Sequence, residues 1–227
     1  MKYKEGDFGY WWTVTEGNDD IEGEVYDGDI DCSFEKISSL KGCPDTVVGA
    51  FDCSNNKLTT LKYSPEIVSN LYVSYNQLSS LQYIPYSKTS INCSVNPLSK
   101  PDSLVGLQDI VEHVLNLTNC ELISTKGLST KIKADLELAY NNLIQFEDKN
   151  ISVDRLLDIS NNHFESSKTI PVCGGLICTN NSNKYIKMEY DLRNTYPNLS
   201  EVEIQNEMFK KTKDRIYLSK ETNSLFM

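Results

Sequence analysis

Along this chain apolar side chains alternate in short bursts, and three residues after the second apolar member comes a polar residue, most often asparagine. The pattern apolar-x-apolar-x-x-Asn-x-apolar fits IDCSFEKI (30–37), FDCSNNKL (51–58), LYVSYNQL (71–78) and INCSVNPL (91–98). It continues through LNLTNCEL (115–122), LELAYNNL (136–143) and LDISNNHF (157–164), and LICTNNSN (176–183) ends the series with Asn183 where an apolar residue is due. The asparagine slot falls at Glu35, Asn56, Asn76, Asn96, Cys120, Asn141, Asn162 and Asn181, in steps of 21, 20, 20, 24, 21, 21 and 19 residues. Strict alternation predicts a short strand with one face inward. A fixed period near 20 predicts stacked coils, a solenoid in which each coil touches only its neighbours.

Stacking assigns every slot a place. One inward row is expected from Ile30, Phe51, Leu71, Ile91, Leu115, Leu136, Leu157 and Leu176, and a second from Cys32, Cys53, Val73, Cys93, Leu117, Leu138, Ile159 and Cys178. The asparagine stands where the chain turns away from the strand. There its amide can bond backbone groups that would otherwise be buried unpaired, at about 1–3 kcal/mol each. Because free cysteine behaves as a small buried hydrophobe, Cys32, Cys53, Cys93 and Cys178 are expected as free thiols in the core, with Cys120 in an asparagine slot and Cys43 and Cys173 in connecting segments.

The asparagine-containing repeat and the segments SLKGCP, TLKYSP and SLQYIP, with Pro44, Pro65 and Pro85 each nine residues after the slot, carry a resemblance. Residues 28–183 resemble leucine-rich repeat proteins, most closely the short bacterial and phage-type repeats. The resemblance implies an α/β solenoid, a leucine-rich repeat horseshoe, with a parallel sheet on its concave face and a mostly irregular convex side. It also implies protein binding through the concave face; by analogy with small stand-alone repeat proteins, the expected role is to inhibit or modulate a host protein. Some bacterial effector repeats precede a ubiquitin-ligase domain with a cysteine nucleophile, but the 44 residues from Lys184 onward contain no cysteine.

A solenoid needs its ends covered. Residues 1–27 are expected as an N-terminal cap, with Tyr10, Trp11, Trp12 and Val14 against the first coil and eight acidic against two basic side chains outside. Residues 184–227 are expected as a helical C-terminal cap. A short helix is predicted to end near Pro197, and a longer one to start at a Ser200/Glu203 capping box, with Val202, Phe209 and Ile216 recurring every seven residues. The long step through SKPDSLVGLQDIVEHV is expected to hold an insertion or a short helix.

A net charge of −10 disfavours nucleic acid and anionic membranes as partners and leaves a basic protein surface compatible. MKYKEGDFGYWW has no apolar run of signal-peptide length, so a cytoplasmic monomer is expected. There is no C-x-x-C pair, phosphate-binding loop or zincin motif, and only His113 and His163 are present. No cofactor, metal or catalytic residue is expected. The strand residues facing away from the core are the candidate binding site: Asp31, Asp52, Tyr72, Asn92, Asn116, Glu137 and Asp158, with Tyr75 and Tyr140 at nearby turns. Tyrosines would anchor a protein partner and carboxylates select a basic one. A second outward row, Ser33, Ser54, Ser74, Ser94, Thr118, Ala139, Ser160 and Thr179, is small throughout. The alternative expectation is an assembly component that docks to copies of itself.

Overall fold

The structure, a computed structural model, describes residues 2–17, 20–148 and 150–212. Helix α1 (Phe8–Val14) precedes twelve strands and two helices. The strands are β1 (Val25–Tyr26), β2 (Ile30–Asp31), β3 (Thr46–Asp52), β4 (Ile67–Tyr72), β5 (Tyr86–Ser87) and β6 (Ile91–Asn92). They continue as β7 (Ile110–Val111), β8 (Leu115–Asn116), β9 (Lys131–Ile132), β10 (Leu136–Glu137), β11 (Ser152–Asp158) and β12 (Val172–Ile177). Helices α2 (Ile186–Thr195) and α3 (Glu201–Thr212) follow. The strands form one parallel 12-stranded sheet, and the chain is a parallel β-solenoid of about 7 turns with repeats of ~21 residues.

Each coil visits the sheet twice. The expected strands pair in register, with Ile30↔Phe51, Phe51↔Leu71, Leu71↔Ile91, Ile91↔Leu115, Leu115↔Leu136, Leu136↔Leu157 and Leu157↔Leu176 side by side. A few residues earlier in each coil a further strand pairs as Val25↔Thr46↔Ile67↔Tyr86 and again as Ile110↔Lys131↔Ser152↔Val172. This first-strand row buries a third ladder, Val47, Val68, Ser87, Val111, Ile132 and Val153, which the asparagine-centred pattern did not reveal. Both rows belong to one strand in β3, β4, β11 and β12, with a bulge between Val47 and Ala50 where β3 meets β4. The bulge holds the extra residue of a 21-residue coil beside a 20-residue one.

The long step between Asn96 and Cys120 interrupts the first row. Residues 99–109 are turns rather than a helix, so the insertion reading holds there. The gap between β5 and β7 is bridged by a side chain instead of a strand. Gln108 accepts from the Ser87 amide at 2.9 Å and donates to the carbonyls of Ser87 and Ile110 at 2.9 and 2.7 Å, standing in for two ladder bonds.

The two expected inward rows are buried apart from Cys178, which is half-buried in the last coil. The asparagines form a ladder on the turn side. Asn76 donates to the carbonyls of Cys53 and Val73 at 2.9 and 3.1 Å and accepts from the Leu58 amide at 2.9 Å. Asn56, Asn96, Asn141, Asn162 and Asn181 repeat this arrangement, each reaching back to the preceding coil. Cys120 fills its slot with the thiol 3.3 Å from the Cys93 carbonyl, while its own carbonyl accepts from Leu98. Glu35 is exposed. Pro171 repeats the offset of Pro44, Pro65 and Pro85 near the other end of the solenoid.

One expectation about the core is corrected. Cys32 and Cys53 are joined as a disulfide, with Cα atoms 5.0 Å apart, rather than standing as free thiols. In-register rungs lie about 4.8 Å apart, inside the range a disulfide spans. Equivalent cysteines on adjacent coils are therefore within bonding reach. Cys43, Cys93, Cys120, Cys173 and Cys178 are free.

The ends are closed by different means. In α1, Phe8, Trp11 and Trp12 are buried, with Phe8 6.1 Å from Phe51 and Trp12 edge-on to Tyr26. Val14, expected against the first coil, is exposed, and Tyr10 is only partly covered. The helix approaches the coil so closely that a Cβ at Gly42 would lie 2.7 Å from the Gly9 Cα. At the other end Tyr190 of α2 accepts from the Cys173 amide and donates to the Pro171 carbonyl, capping the free edge of β12. The Ser200/Glu203 capping box is present, with reciprocal bonds of 2.8 and 3.4 Å. The buried face of α3 carries Ile204 and Met208, while Val202 and Phe209 of the seven-residue pattern are exposed; Ile216 lies outside the described residues. Among the described residues no helix is long and apolar enough to cross a membrane.

Candidate protein-binding face

The second-strand row places the candidate residues on adjacent rungs. The pairs Asp31↔Asp52, Asp52↔Tyr72, Tyr72↔Asn92, Asn92↔Asn116, Asn116↔Glu137 and Glu137↔Asp158 are in register. All are partly exposed except Asp31, which is exposed.

Most of this row has local work that the sequence pattern did not reveal. Asp31, Asp52, Asn92, Asn116 and Asp158 each accept, through Oδ1, the amide two residues on, at 2.8–3.0 Å. This Asx turn starts the bend into the asparagine slot, so recurrent Asp and Asn at this position are explained without a partner. The Ser33 hydroxyl and amide hold the Asp31 carboxyl below its ordinary range. Tyr72 and Glu137 cannot make the turn bond, which sets them apart from the row. Glu137 instead accepts from the Asn116 side-chain Nδ2 at 2.5 Å. Burial, with Asp135 and Asp158 nearby, pushes its carboxyl above the ordinary range.

The second outward row requires correction. Ser54, Ser74, Ser94, Ala139 and Ser160 are buried. They lie inside the turn, where the carbonyls of Ser54, Ser74, Ser94 and Ser160 accept from the amides of Phe34, Asn55, Tyr75 and Tyr140 on the preceding coils. Small size here fits a crowded bend rather than a binding surface.

The flanking turn row carries the larger anomaly. The residue before each asparagine slot adopts the left-handed conformation, with φ between 54 and 62°, at Phe34, Asn55, Tyr75, Val95, Asn119, Tyr140, Asn161 and Asn180. Asparagine tolerates this region, whereas a bulky residue there is an outlier. Tyr75 and Tyr140 nonetheless occupy it, and they are 57% and 61% exposed. Among the described residues Asp31, Asp52, Glu137 and Asp158 enter no salt bridge, and no group of His, Cys, Asp or Glu is placed to hold a metal ion.

The asparagine-slot pattern also leaves out residues on the first-strand side. Tyr63 and Tyr83 stand at left-handed turns, with φ of 70 and 68°, where SLKGCP has Gly42. The comparison of SLKGCP with TLKYSP and SLQYIP contained that clue. No protein-family model matches the chain, and neither do curated proteins or solved structures.

Proposed function

We propose that this solenoid is a non-enzymatic protein-binding module of the leucine-rich repeat type, taking a basic protein partner on its second-strand face. The conformation of Tyr75 and Tyr140 carries the reading. Each holds a large ring in solvent on left-handed backbone, at a cost of about 1–2 kcal/mol. Asn55, Asn119, Asn161 and Asn180 show the less strained residue in the same row. Exposed tyrosines kept against a conformational cost are what an interface anchor looks like. Beside them, Asp31, Asp52, Glu137 and Asp158 enter no salt bridge among the described residues, and a cationic partner would relieve their negative charge.

The test is the double substitution Tyr75→Asn/Tyr140→Asn. Affinity capture with immobilised wild-type protein identifies the partner, and titration measures its binding to both forms. Binding is expected to weaken by a factor of ten or more, about 1.4 kcal/mol. The melting temperature is expected to rise, because asparagine relieves the backbone. Unchanged binding removes this face from the function, and a fall in melting temperature would mean that the rings serve the fold.

A further inference from the structure

We infer that the first-strand face is a second docking surface, built for a basic amphipathic helix of another protein. The outward side chains here are Ile67, Tyr86 and Ile110, on the successive strands β4, β5 and β7, and all three are exposed. At the turns leading into those strands stand Tyr63, Tyr83 and Val105, each at least half exposed. Six large apolar residues on three consecutive coils make a denser exposed cluster than any on the second-strand face, and such patches mark interaction sites. The left-handed turns at Tyr63 and Tyr83, in the place of Gly42, repeat on this side the costly placement of an exposed ring.

Charge selects the occupant. Next to the apolar column lie Glu24, Asp45 and Glu66, linked rung to rung by amide–carbonyl bonds of 2.9 and 2.7 Å, and Asp109 further along. All four are exposed, and none enters a salt bridge among the described residues. A second copy of this chain would bring a net charge of −10 against this column, and like charges repel. A partner with apolar side chains along one stripe and lysine or arginine beside it satisfies both columns. The surface is a sheet face, not a free edge, so it offers side chains rather than backbone pairing; a helix, which satisfies its own backbone, suits it. From Glu24 to Asp109 the acidic column crosses five rungs, about 19 Å, the length of roughly 13 helical residues.

The probe is a synthetic leucine–lysine amphipathic helix of about 14 residues, titrated against the full chain by fluorescence anisotropy at low and physiological salt. A scrambled peptide of identical composition and a leucine–glutamate counterpart are run beside it. Glu66→Lys/Asp109→Lys and Tyr83→Ser/Tyr86→Ser are each expected to weaken binding by about tenfold or more, with circular dichroism confirming that both variants fold. Tyr75→Asn/Tyr140→Asn is run beside them, and a loss of peptide binding confined to that variant would assign the peptide to the second-strand face and overturn the inference. Equal binding of the scrambled peptide, or wild-type affinity in both first-strand variants, would overturn the inference. So would a Kd weaker than about 1 mM for the designed peptide. Light scattering that shows a dimer dispersed by Tyr83→Ser/Tyr86→Ser would overturn it in favour of self-association.

Discussion

Asn141 offers the sharpest test of the physics holding the coils together. Its side chain is buried and makes four bonds of 2.9 Å: it donates to Leu117 and Leu138 and accepts from Cys120 and Leu122. The other slot asparagines accept one amide from the preceding coil; Asn141 accepts two, those of Cys120 and Leu122. Substitution by alanine would leave both amides unpaired in the interior, at about 1–3 kcal/mol each. The Leu138 carbonyl keeps a partner in Asn162, while that of Leu117 loses its Asn141 bond. A loss of about 3–5 kcal/mol is therefore expected, a large share of the roughly 5–15 kcal/mol of a typical domain. Asn181→Ala is the matched control. Asn181 makes the same kind of bonds in the last coil but is only partly buried, so water can replace them and about 1 kcal/mol is expected. Urea unfolding followed by far-ultraviolet circular dichroism reports on the coils, and tryptophan fluorescence reports on the cap holding Trp11 and Trp12. Equal losses in the two variants would refute the claim that burial of these amides is what makes the asparagine necessary.

Two further outcomes follow from the core and the sheet. Glu137 has a raised carboxyl pKa in the folded chain, so the native state binds its proton more tightly than the unfolded state. Its contribution to stability must therefore fall as pH rises through the window from the ordinary glutamate value to the raised one; Glu137→Gln should remove that slope, read as the melting-temperature difference between the two proteins across pH 4 to 7, and parallel curves would contradict it. Alkylation under denaturing, non-reducing conditions should modify five cysteines, and all seven after reduction, since only Cys32 and Cys53 are joined; seven modified thiols before reduction would show the expected free-thiol core instead.

The repeated slots were legible because each coil meets the same requirement: Leu71, Leu115 and Leu136 had to be inside once the strands lay in register. The asparagine ladder was legible for the same reason. The first-strand row was not, because the pattern runs forward from the second-strand apolar pair, and Val47, Val68 and Val111, lying 9, 8 and 9 residues before the next slot, fall outside it. The buried serines were misplaced because alternation continues in the sequence after the backbone has begun to turn, so Ser54 and Ser74 read as outward. Likewise the Cys32–Cys53 bond depends on which equivalent side chains react, which a row assignment does not specify. At the candidate site, the position of each residue on its rung was readable. The left-handed turns that Tyr75 and Tyr140 share with their asparagine counterparts, and that cost a bulky ring more than an asparagine, emerged only with the backbone.

The slot asparagines give the solenoid a direction. Each one completes the coil before it, never the coil after, so every turn is left unfinished until its successor is in place. On a growing chain the newest coil would hold unmet amides and carbonyls until about twenty more residues had left the ribosome. Truncation from the front removes a coil together with the asparagine that served the coil before it, whereas truncation from the back strips a surviving coil of its partner. Asn183 ends the relay by joining the repeat to the cap: it donates to the Glu165 carbonyl of the preceding coil and accepts from the Tyr185 amide just ahead of α2, where a further coil would otherwise be needed.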